Sequence, residues 1–225
     1  KRRFLVYSSR AMNRKKTATL DINRKRFIRF FLKLIDKILL KLLARVKVSG
    51  KENLPVSGPY IVAGNHNAMV EVMLMLKIIP ASVEFIGTGD IPLDKRFKWI
   101  AELYGFIPYN RGHTDSKALK TSLGVLKQGG ILGIFPEGGI WSSQRKQGHK
   151  GVSWLSYMAN VPVIPIGFGG LEGALGRMTA FKRPQLSAQI GKAIYPGTDR
   201  GKKNLDRAAE QIMEAIAGLI PEEDK

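Results

Sequence analysis

The chain has 225 residues, of which 44% are hydrophobic, and it contains no cysteine. This length suits one domain with an appendage, and the lack of cysteine excludes disulfides and thiolate chemistry. The net charge of +19 is concentrated at the N-terminus, where residues 1–51 hold 17 Lys and Arg against two Asp. We therefore expect this arm to meet a polyanionic partner, either a nucleic acid or an anionic membrane surface.

Residues 27–48 carry a basic residue at every fourth position within a run of Phe, Leu and Ile. On a helix this spacing makes one basic stripe beside a wide apolar face. The run has too many charges to span a bilayer, so we favour a helix that lies in the membrane interface. The alternative is a helix that packs on its own domain with solvated lysines. Nucleic acid is disfavoured, because no motif of the known nucleic-acid modules is present.

The turn-rich segment at 50–59 is the predicted boundary between two regions. Residues 1–49 form the basic, amphipathic, membrane-associating helical region, and residues 50–225 form an α/β domain. Its predicted strands are 60–64, 83–87, 105–109, 131–135, 161–168 and 186–191, and its predicted helices lie near 70–78, 94–103, 115–127, 150–159 and 203–219. This alternation is typical of a largely parallel mixed sheet flanked by helices.

Three polar side chains occupy equivalent places in this pattern. His66, Arg111 and Glu137 each lie two residues beyond the end of a predicted strand. Sites in α/β sheets collect just past the carboxyl ends of the strands. If the three strands are parallel neighbours, we expect these side chains to converge on one edge of the sheet.

Glu71 follows His66 by five residues within an otherwise uncharged apolar run. Five residues turn a regular helix by about 500°, so the two side chains meet only if His66 lies on the turn before a helix and Glu71 in its first turn. A carboxylate that orients an imidazole makes it a better base. No Ser or Cys lies in a nucleophile elbow, so direct transfer onto a substrate hydroxyl is favoured. A structural histidine is the alternative.

Four segments resemble a known family. NHNAMVE, GFIPYNRG, FPEGG and VPVIPI, in this order, are similar to the four sequence blocks of the glycerolipid acyltransferases, the 1-acylglycerol-3-phosphate acyltransferase family. The resemblance covers about residues 48–170. The order of the four blocks makes it more specific than any single block.

The resemblance implies a role for each matching residue. His66 corresponds to the catalytic base, and Glu71 stands where the family has Asp. Arg111 corresponds to the residue that holds the acceptor's phosphate, and Glu137 and Gly138 belong to the block implicated in acceptor binding.

A second departure from the family pattern follows the third block. The family commonly continues FPEG with Thr-Arg-Ser, whereas here the segment 139–141 reads GIW, so a basic phosphate contact is lost. Either Arg145, Lys146 and Lys150 replace this contact, or the acceptor's headgroup differs from a bare phosphate. Asn65, beside the expected base, is a further candidate for substrate binding.

We therefore expect a membrane-associated acyltransferase, peripheral or monotopic on the cytoplasmic face. It would move a fatty acyl group from acyl-CoA or acyl carrier protein to the hydroxyl of a lysolipid, with 1-acylglycerol-3-phosphate as the leading acceptor and phosphatidic acid as the product. No metal and no cofactor beyond this co-substrate is expected. The alternatives are another lysophospholipid or an amino-acid lysolipid as acceptor, or a non-catalytic membrane-binding protein with a decayed site.

Overall fold

A computed structural model describes residues 27–66, 69–88, 99–100, 103–109, 115–136, 151–195, 197 and 202–224. The strands are β1 (Arg45–Ser49), β2 (Tyr60–Gly64), β3 (Val83–Thr88), β4 (Ile107–Tyr109), β5 (Ile131–Ile134), β6 (Val163–Gly169) and β7 (Gln185–Ile190). The helices are α1 (27–43), α2 (Val70–Ile78), α3 (Ser116–Lys127), α4 (Gly151–Ala159), α5 (Ala174–Thr179) and α6 (Lys202–Leu219). Two 3₁₀ turns cover Lys51–Asn53 and Glu222–Asp224.

The seven strands form a mixed sheet in the order β1-β7-β6-β2-β5-β3-β4. Every described strand pair is parallel except β6 with β7. The strands β2 and β6 are buried along their whole lengths, because their sequences are nearly continuous apolar runs. The predicted α/β fold with a largely parallel mixed sheet is confirmed.

Helices cover both faces of the sheet and enclose two cores. On one face, Leu40 of α1 and Leu74 of α2 pack against Val62 of β2. On the other face, α3, α4 and α6 pack against Ile61 and Ala63 of the same strand. Alternation of side chains along β2 thus sends its even-numbered residues toward α1 and α2.

The predicted helix 27–48 is wrong at its carboxyl end. The helix stops at residue 43, and Arg45–Ser49 form β1, which pairs in parallel with β7. Val46 and Val48 are half-buried while Arg45 and Lys47 are exposed, so a period of two replaces the helical period after Ala44. Residues 45–49 therefore belong to the sheet, and a separate membrane-associating region N-terminal to them stays a prediction.

Candidate functional site

His66 lies just beyond the carboxyl end of β2, the central strand of the sheet. Its side chain is buried, with 7% of its surface exposed. The imidazole stacks on the ring of Phe135, with 4.2 Å between the ring centroids and 18° between the ring planes. Phe135 follows β5, the strand that pairs with β2, so two neighbouring strand ends bring the two rings together.

Glu71 lies in the first turn of α2, the helix that follows His66 in the chain. Its side chain has no exposed surface. A carboxylate at this end of a helix is favoured by the helix dipole. His66 thus follows a strand by two residues, and Glu71 lies in the first turn of the next helix. This order agrees with the arrangement that the five-residue spacing requires for the two side chains to meet.

Asn65 is tied to the neighbouring strand. Its Oδ1 accepts a hydrogen bond from the backbone N–H of Phe168 at 2.8 Å, and its Nδ2 donates to the carbonyl of the same residue at 3.1 Å. The amide therefore continues the β2–β6 ladder past Gly64 and holds the turn that carries His66. Substrate binding by Asn65 stays a prediction beside this structural role.

The carboxyl ends of β2, β5 and β4 lie at the same edge of the sheet, because these strands run parallel. They are not all neighbours, since β3 separates β5 from β4. At the usual strand spacing β4 lies about 14 Å from β2. The other predicted site residues lie outside the described residues, and their roles stay predictions: Arg111, Glu137, Gly138, Arg145 and Lys150.

A series of aromatic rings continues from Phe135 away from His66. Phe85 of β3 lies parallel to Phe135, at 6.4 Å between centroids and 4° between planes. Gly133 leaves room for the ring of Phe85, since a Cβ at Gly133 would lie 2.6 Å from it. Tyr104 packs against Phe85 and donates its hydroxyl proton to the carbonyl of Val83 at 2.7 Å.

Arg29 of α1 is directed into the protein and fixes the helix to this series. Its guanidinium makes a two-pronged ion pair with Glu84 of β3, its Nε donates to the carbonyl of Tyr104 at 2.9 Å, and its charge lies over the Tyr104 ring. Planar Arg–carboxylate pairs of this kind have a fixed geometry. The first residue of the predicted basic stripe is therefore buried, and does not face a partner.

Lys33 is the second member of that stripe that faces inward. Its ammonium donates to the carbonyls of Ile79, Pro80 and Ala81, just past the end of α2, where a helix has unsatisfied carbonyls. Burial lowers the pKa of Lys33 to about 8. The interpretation of residues 29–45 as one outward basic stripe is wrong, because the polar groups near the start of α1 cap and pair with groups of the domain.

Asp36 lies on the same inward side of α1 and is 7% exposed. Neither of its carboxylate oxygens receives a hydrogen bond from the described residues. Burial raises the pKa of Asp36 to about 7, against the opposing influence of Lys77, Lys33 and Lys37. The side of α1 that faces the domain is thus unusually polar.

The outer face of α1 is apolar and exposed. We define it by its eight large side chains, each at least 39% exposed: Phe27, Phe30, Phe31, Leu34, Ile35, Ile38, Leu39 and Leu42. Contiguous apolar patches on this scale mark contact surfaces for proteins or membranes. Among the described residues, no helix is both long enough and apolar enough to cross a membrane.

A cavity of about 240 Å³ lies at the β4 edge of the sheet, between Arg29, Glu84 and the first half of α3. Neither His66 nor Glu71 lines it. Within the described part of the chain, no three His, Asp or Glu side chains are grouped as metal ligands. The candidate site is therefore the strand ends around His66, and not this cavity.

Phe135 is the residue of this site that the sequence analysis did not identify. It is the first residue of the FPEGG segment, in which only Glu137 and Gly138 were predicted to bind substrate. The available signal was an aromatic residue directly after a buried strand and before Pro136. Its partner, however, lies 69 positions earlier in the chain, and only the pairing of β2 with β5 brings them together.

Three comparisons bear on the identity of the chain. A family model described as Acyltransferase matches residues 45–169. The chain is 26% identical over 188 residues to the 1-acyl-sn-glycerol-3-phosphate acyltransferase of Bacillus subtilis (strain 168), which spans 83% of this chain and 92% of that protein. The crystal structure of the 1-acyl-sn-glycerophosphate (LPA) acyltransferase PlsC from Thermotoga maritima superposes with a TM-score of 0.62 at 21% identity, over 85% of this chain and 79% of that one.

Two other relatives are longer than this chain. It is 28% identical over 154 residues to a chloroplastic 1-acyl-sn-glycerol-3-phosphate acyltransferase of Arabidopsis thaliana, and 26% identical over 133 residues to the alpha form of Homo sapiens. The matched parts cover only 42% and 44% of those proteins. The family model, by contrast, matches a stretch that includes the strand ends with His66 and Phe135.

Proposed function

The chain belongs to the Acyltransferase family and is an O-acyltransferase, and from this premise we propose that it transfers a fatty acyl group from acyl-CoA or acyl carrier protein to the free hydroxyl of a lysolipid at a membrane surface. The leading acceptor is 1-acylglycerol-3-phosphate, which would give phosphatidic acid. The observation that carries the chemistry is the buried His66 on the turn before α2, with the fully buried Glu71 in the first turn of that helix.

In the proposed mechanism, His66 takes the proton of the acceptor hydroxyl as its oxygen attacks the thioester carbonyl. The C–O bond forms, the C–S bond breaks, and the leaving thiolate receives the proton from the imidazolium. Glu71 orients the imidazole and stabilises its positive charge, the role of the carboxylate in other His-based sites. A general base of this kind contributes on the order of 10²- to 10⁴-fold to the rate.

The choice of acceptor is supported by the relatives' names and by the predicted phosphate contact at Arg111. The relatives in Bacillus subtilis and Arabidopsis thaliana are named for 1-acyl-sn-glycerol-3-phosphate. The replacement of the usual residues after FPEG by GIW leaves a different headgroup open. Arg111→Lys distinguishes the two sides of the reaction, because Lys cannot replace a two-pronged Arg–phosphate contact. We expect it to raise the acceptor KM more than the donor KM.

Membrane association is supported by the outer face of α1. That face is apolar and exposed, and α1 packs on the same core as Phe135, the ring on which His66 stacks. A lysolipid is an amphiphile, so a domain held against the cytoplasmic leaflet could take the lipid from the bilayer and the thioester from the aqueous side. Lys37, Lys41 and residues 1–26 add positive charge for an anionic leaflet, at about 1 kcal/mol per basic residue near the surface.

The decisive experiment measures thioester turnover by the whole chain with a panel of lysolipids that differ in headgroup. We expect turnover with 1-acylglycerol-3-phosphate, a loss of on the order of 10²- to 10⁴-fold for His66→Ala, and little change for the control His149→Ala. Turnover only with another lysolipid would replace the acceptor and keep the chemistry. No turnover with any lysolipid would favour a non-catalytic membrane-binding protein, and wild-type turnover by folded His66→Ala would remove His66 from the mechanism.

Glu71→Asp tests the departure from the family pattern. If the turn before α2 fits the longer side chain, Asp falls short of His66, and we expect turnover to drop by about tenfold, equal to about 1.4 kcal/mol in the barrier. A clear gain in turnover would mean instead that the site had decayed and that Asp restores it.

A further inference from the structure

His66 and Phe135 form a stacked pair at the carboxyl ends of β2 and β5. The centroid separation of 4.2 Å and the interplanar angle of 18° place one face of the imidazole flat against the phenyl ring. The torsion that turns an imidazole about its Cβ–Cγ bond is broad, and so does not hold the ring by itself. A flat partner ring on one face fixes this torsion.

The orientation of the imidazole decides which way its nitrogens point. Proton transfer needs one nitrogen within hydrogen-bond reach of the acceptor hydroxyl, and a small displacement of a reacting group has a large effect on rate. The contact also acts later in the reaction, because the protonated imidazole becomes a cation over the face of an aromatic ring. Both effects favour the transition state more than they favour the binding of either substrate.

Phe135 is itself packed against other aromatic side chains. Phe85 lies parallel to it, and Gly133 leaves the space that Phe85 occupies. Tyr104 packs against Phe85 and is fixed by its hydrogen bond to the carbonyl of Val83. Phe135 therefore has an ordered support on the side away from His66, which an isolated core residue at a strand end would lack.

We propose that Phe135 is a positioning residue for the reaction: its ring fixes the plane of the His66 imidazole and stabilises the imidazolium that forms. This inference rests on the proposed role of His66 as the base. Phe85 supports Phe135 and acts on His66 only through it.

The test is Phe135→Leu in the whole chain, because Leu keeps the site covered by an apolar side chain and removes the aromatic face. We expect kcat to fall by about tenfold, the size of one stacked cation–π contact, while both KM values stay close to wild type. Phe135→Tyr should restore most of the lost kcat.

Phe106→Leu is the matched control, since Phe106 is also half-buried against the same core. The kcat of this variant should stay close to wild type. Phe85→Leu should have a smaller effect than Phe135→Leu.

A second measurement reports on the imidazole and not on turnover. The chain has three histidines, so replacing His113 and His149 with Gln leaves the resonances of His66 as the only histidine signals in an NMR spectrum of the labelled protein. In this background, the ring current of Phe135 should displace the His66 ring protons, and Phe135→Leu should remove the displacement. Phe106→Leu should not change it.

The possible outcomes separate this inference from the proposed function. If His66→Ala abolishes turnover while folded Phe135→Leu keeps wild-type kcat and the His66 resonances do not move, the positioning role is wrong and the base stands. If His66→Ala keeps turnover, the proposed function fails first. If kcat falls equally in Phe135→Leu and Phe106→Leu, or Tyr does not restore it, the effect is one of general packing and the proposal is overturned.

Discussion

The helices α1 and α6 both pack against the sheet, but they bury different kinds of side chain. In α6 the buried residues are Ala209, Ile212 and Ile216, spaced three and four apart, and the exposed side is charged. This is the usual pattern of a helix at a water-facing surface. In α1 the inward side instead includes Arg29, Lys33 and Asp36.

The difference indicates what each helix faces on its outer side. The outer side of α6 presents Lys203, Arg207 and Glu210 and is suited to water. The outer face of α1 presents eight large apolar side chains, whereas Arg29 and Lys33 on its inner side find partners within the domain. Packing on the domain and facing an apolar medium are therefore not alternatives for α1. Its inner side, with Leu40, Arg29 and Lys33, packs on the domain, and its outer face is suited to an apolar medium.

The largest effect that this comparison predicts concerns matched isoleucines. Ile212→Ala in α6 should lower the free energy of unfolding by about 2–5 kcal/mol, because it opens a cavity in a packed core. Ile38→Ala in α1 should change it by less than about 0.5 kcal/mol, since Ile38 is 50% exposed. Urea unfolding followed by circular dichroism measures both. Equal losses would show that the outer face of α1 is covered by the protein itself.

Matched arginines give the next effect. Arg29→Ala should lower the free energy of unfolding by about 2–3 kcal/mol, because the partly buried Glu84 loses its partner. Arg207→Ala, on the exposed side of α6, should stay within about 0.5 kcal/mol of wild type. The same unfolding measurement applies. A neutral Arg29→Ala would mean that α1 is not held to the domain through this pair.

Affinity for vesicles tests the outer faces directly. Ile38→Ser should weaken binding to anionic vesicles by about tenfold, the effect of losing one buried aliphatic side chain, whereas Gln211→Ser on α6 should not change it. Salt should release the wild-type protein only in part, since screening does not touch apolar contacts. Complete release at high salt, with no binding to neutral vesicles, would show a purely electrostatic contact.

The smallest effect concerns Asp36 and depends on pH. In the folded protein burial holds the pKa of Asp36 near 7, whereas its ordinary value is 3.8. The folded state therefore binds the extra proton between about pH 4 and pH 7, and the contribution of Asp36 to stability falls as the pH rises through that window. Asp36→Asn should stabilise the protein at pH 8 by about 1 kcal/mol, after the cost of a buried amide, and by nothing at pH 4. A gain that is the same at both pH values would contradict the buried, titrating carboxyl.

The sequence predicted the sheet well, and the physical reasons for its failures are specific. Central strands such as β2 are continuous apolar runs bounded by Gly, Pro or Asn, and these signals are local. The strand β1 was missed because only Ala44 separates it from α1, so no turn residue marks the change of period. The short helix α5 contains a glycine and has six residues, too few for a periodic pattern.

For the site, the sequence located what depends on short spacing and missed what depends on strand pairing. The sequence predicted that His66 follows a strand and that Glu71 lies in the first turn of the next helix, because this placement depends on only five residues of local geometry. The stacking of Phe135 on His66 requires the register of β2 with β5, which nothing in either segment specifies. The sequence also did not predict that some basic residues of α1 face the domain, because a helical pattern shows two faces but not which of them packs on the protein.

The capping of α2 by Lys33 has a consequence for protein engineering. A version of this enzyme for use without lipid should not be made by deleting residues 1–49. This segment contains Lys33, which caps the carboxyl end of α2, the core residue Leu40 and the edge strand β1. The helix should instead be kept and resurfaced. Polar replacements at Leu34, Ile38 and Leu42 would make the outer face of α1 polar, while Arg29 and Lys33 would still hold α1 against the domain.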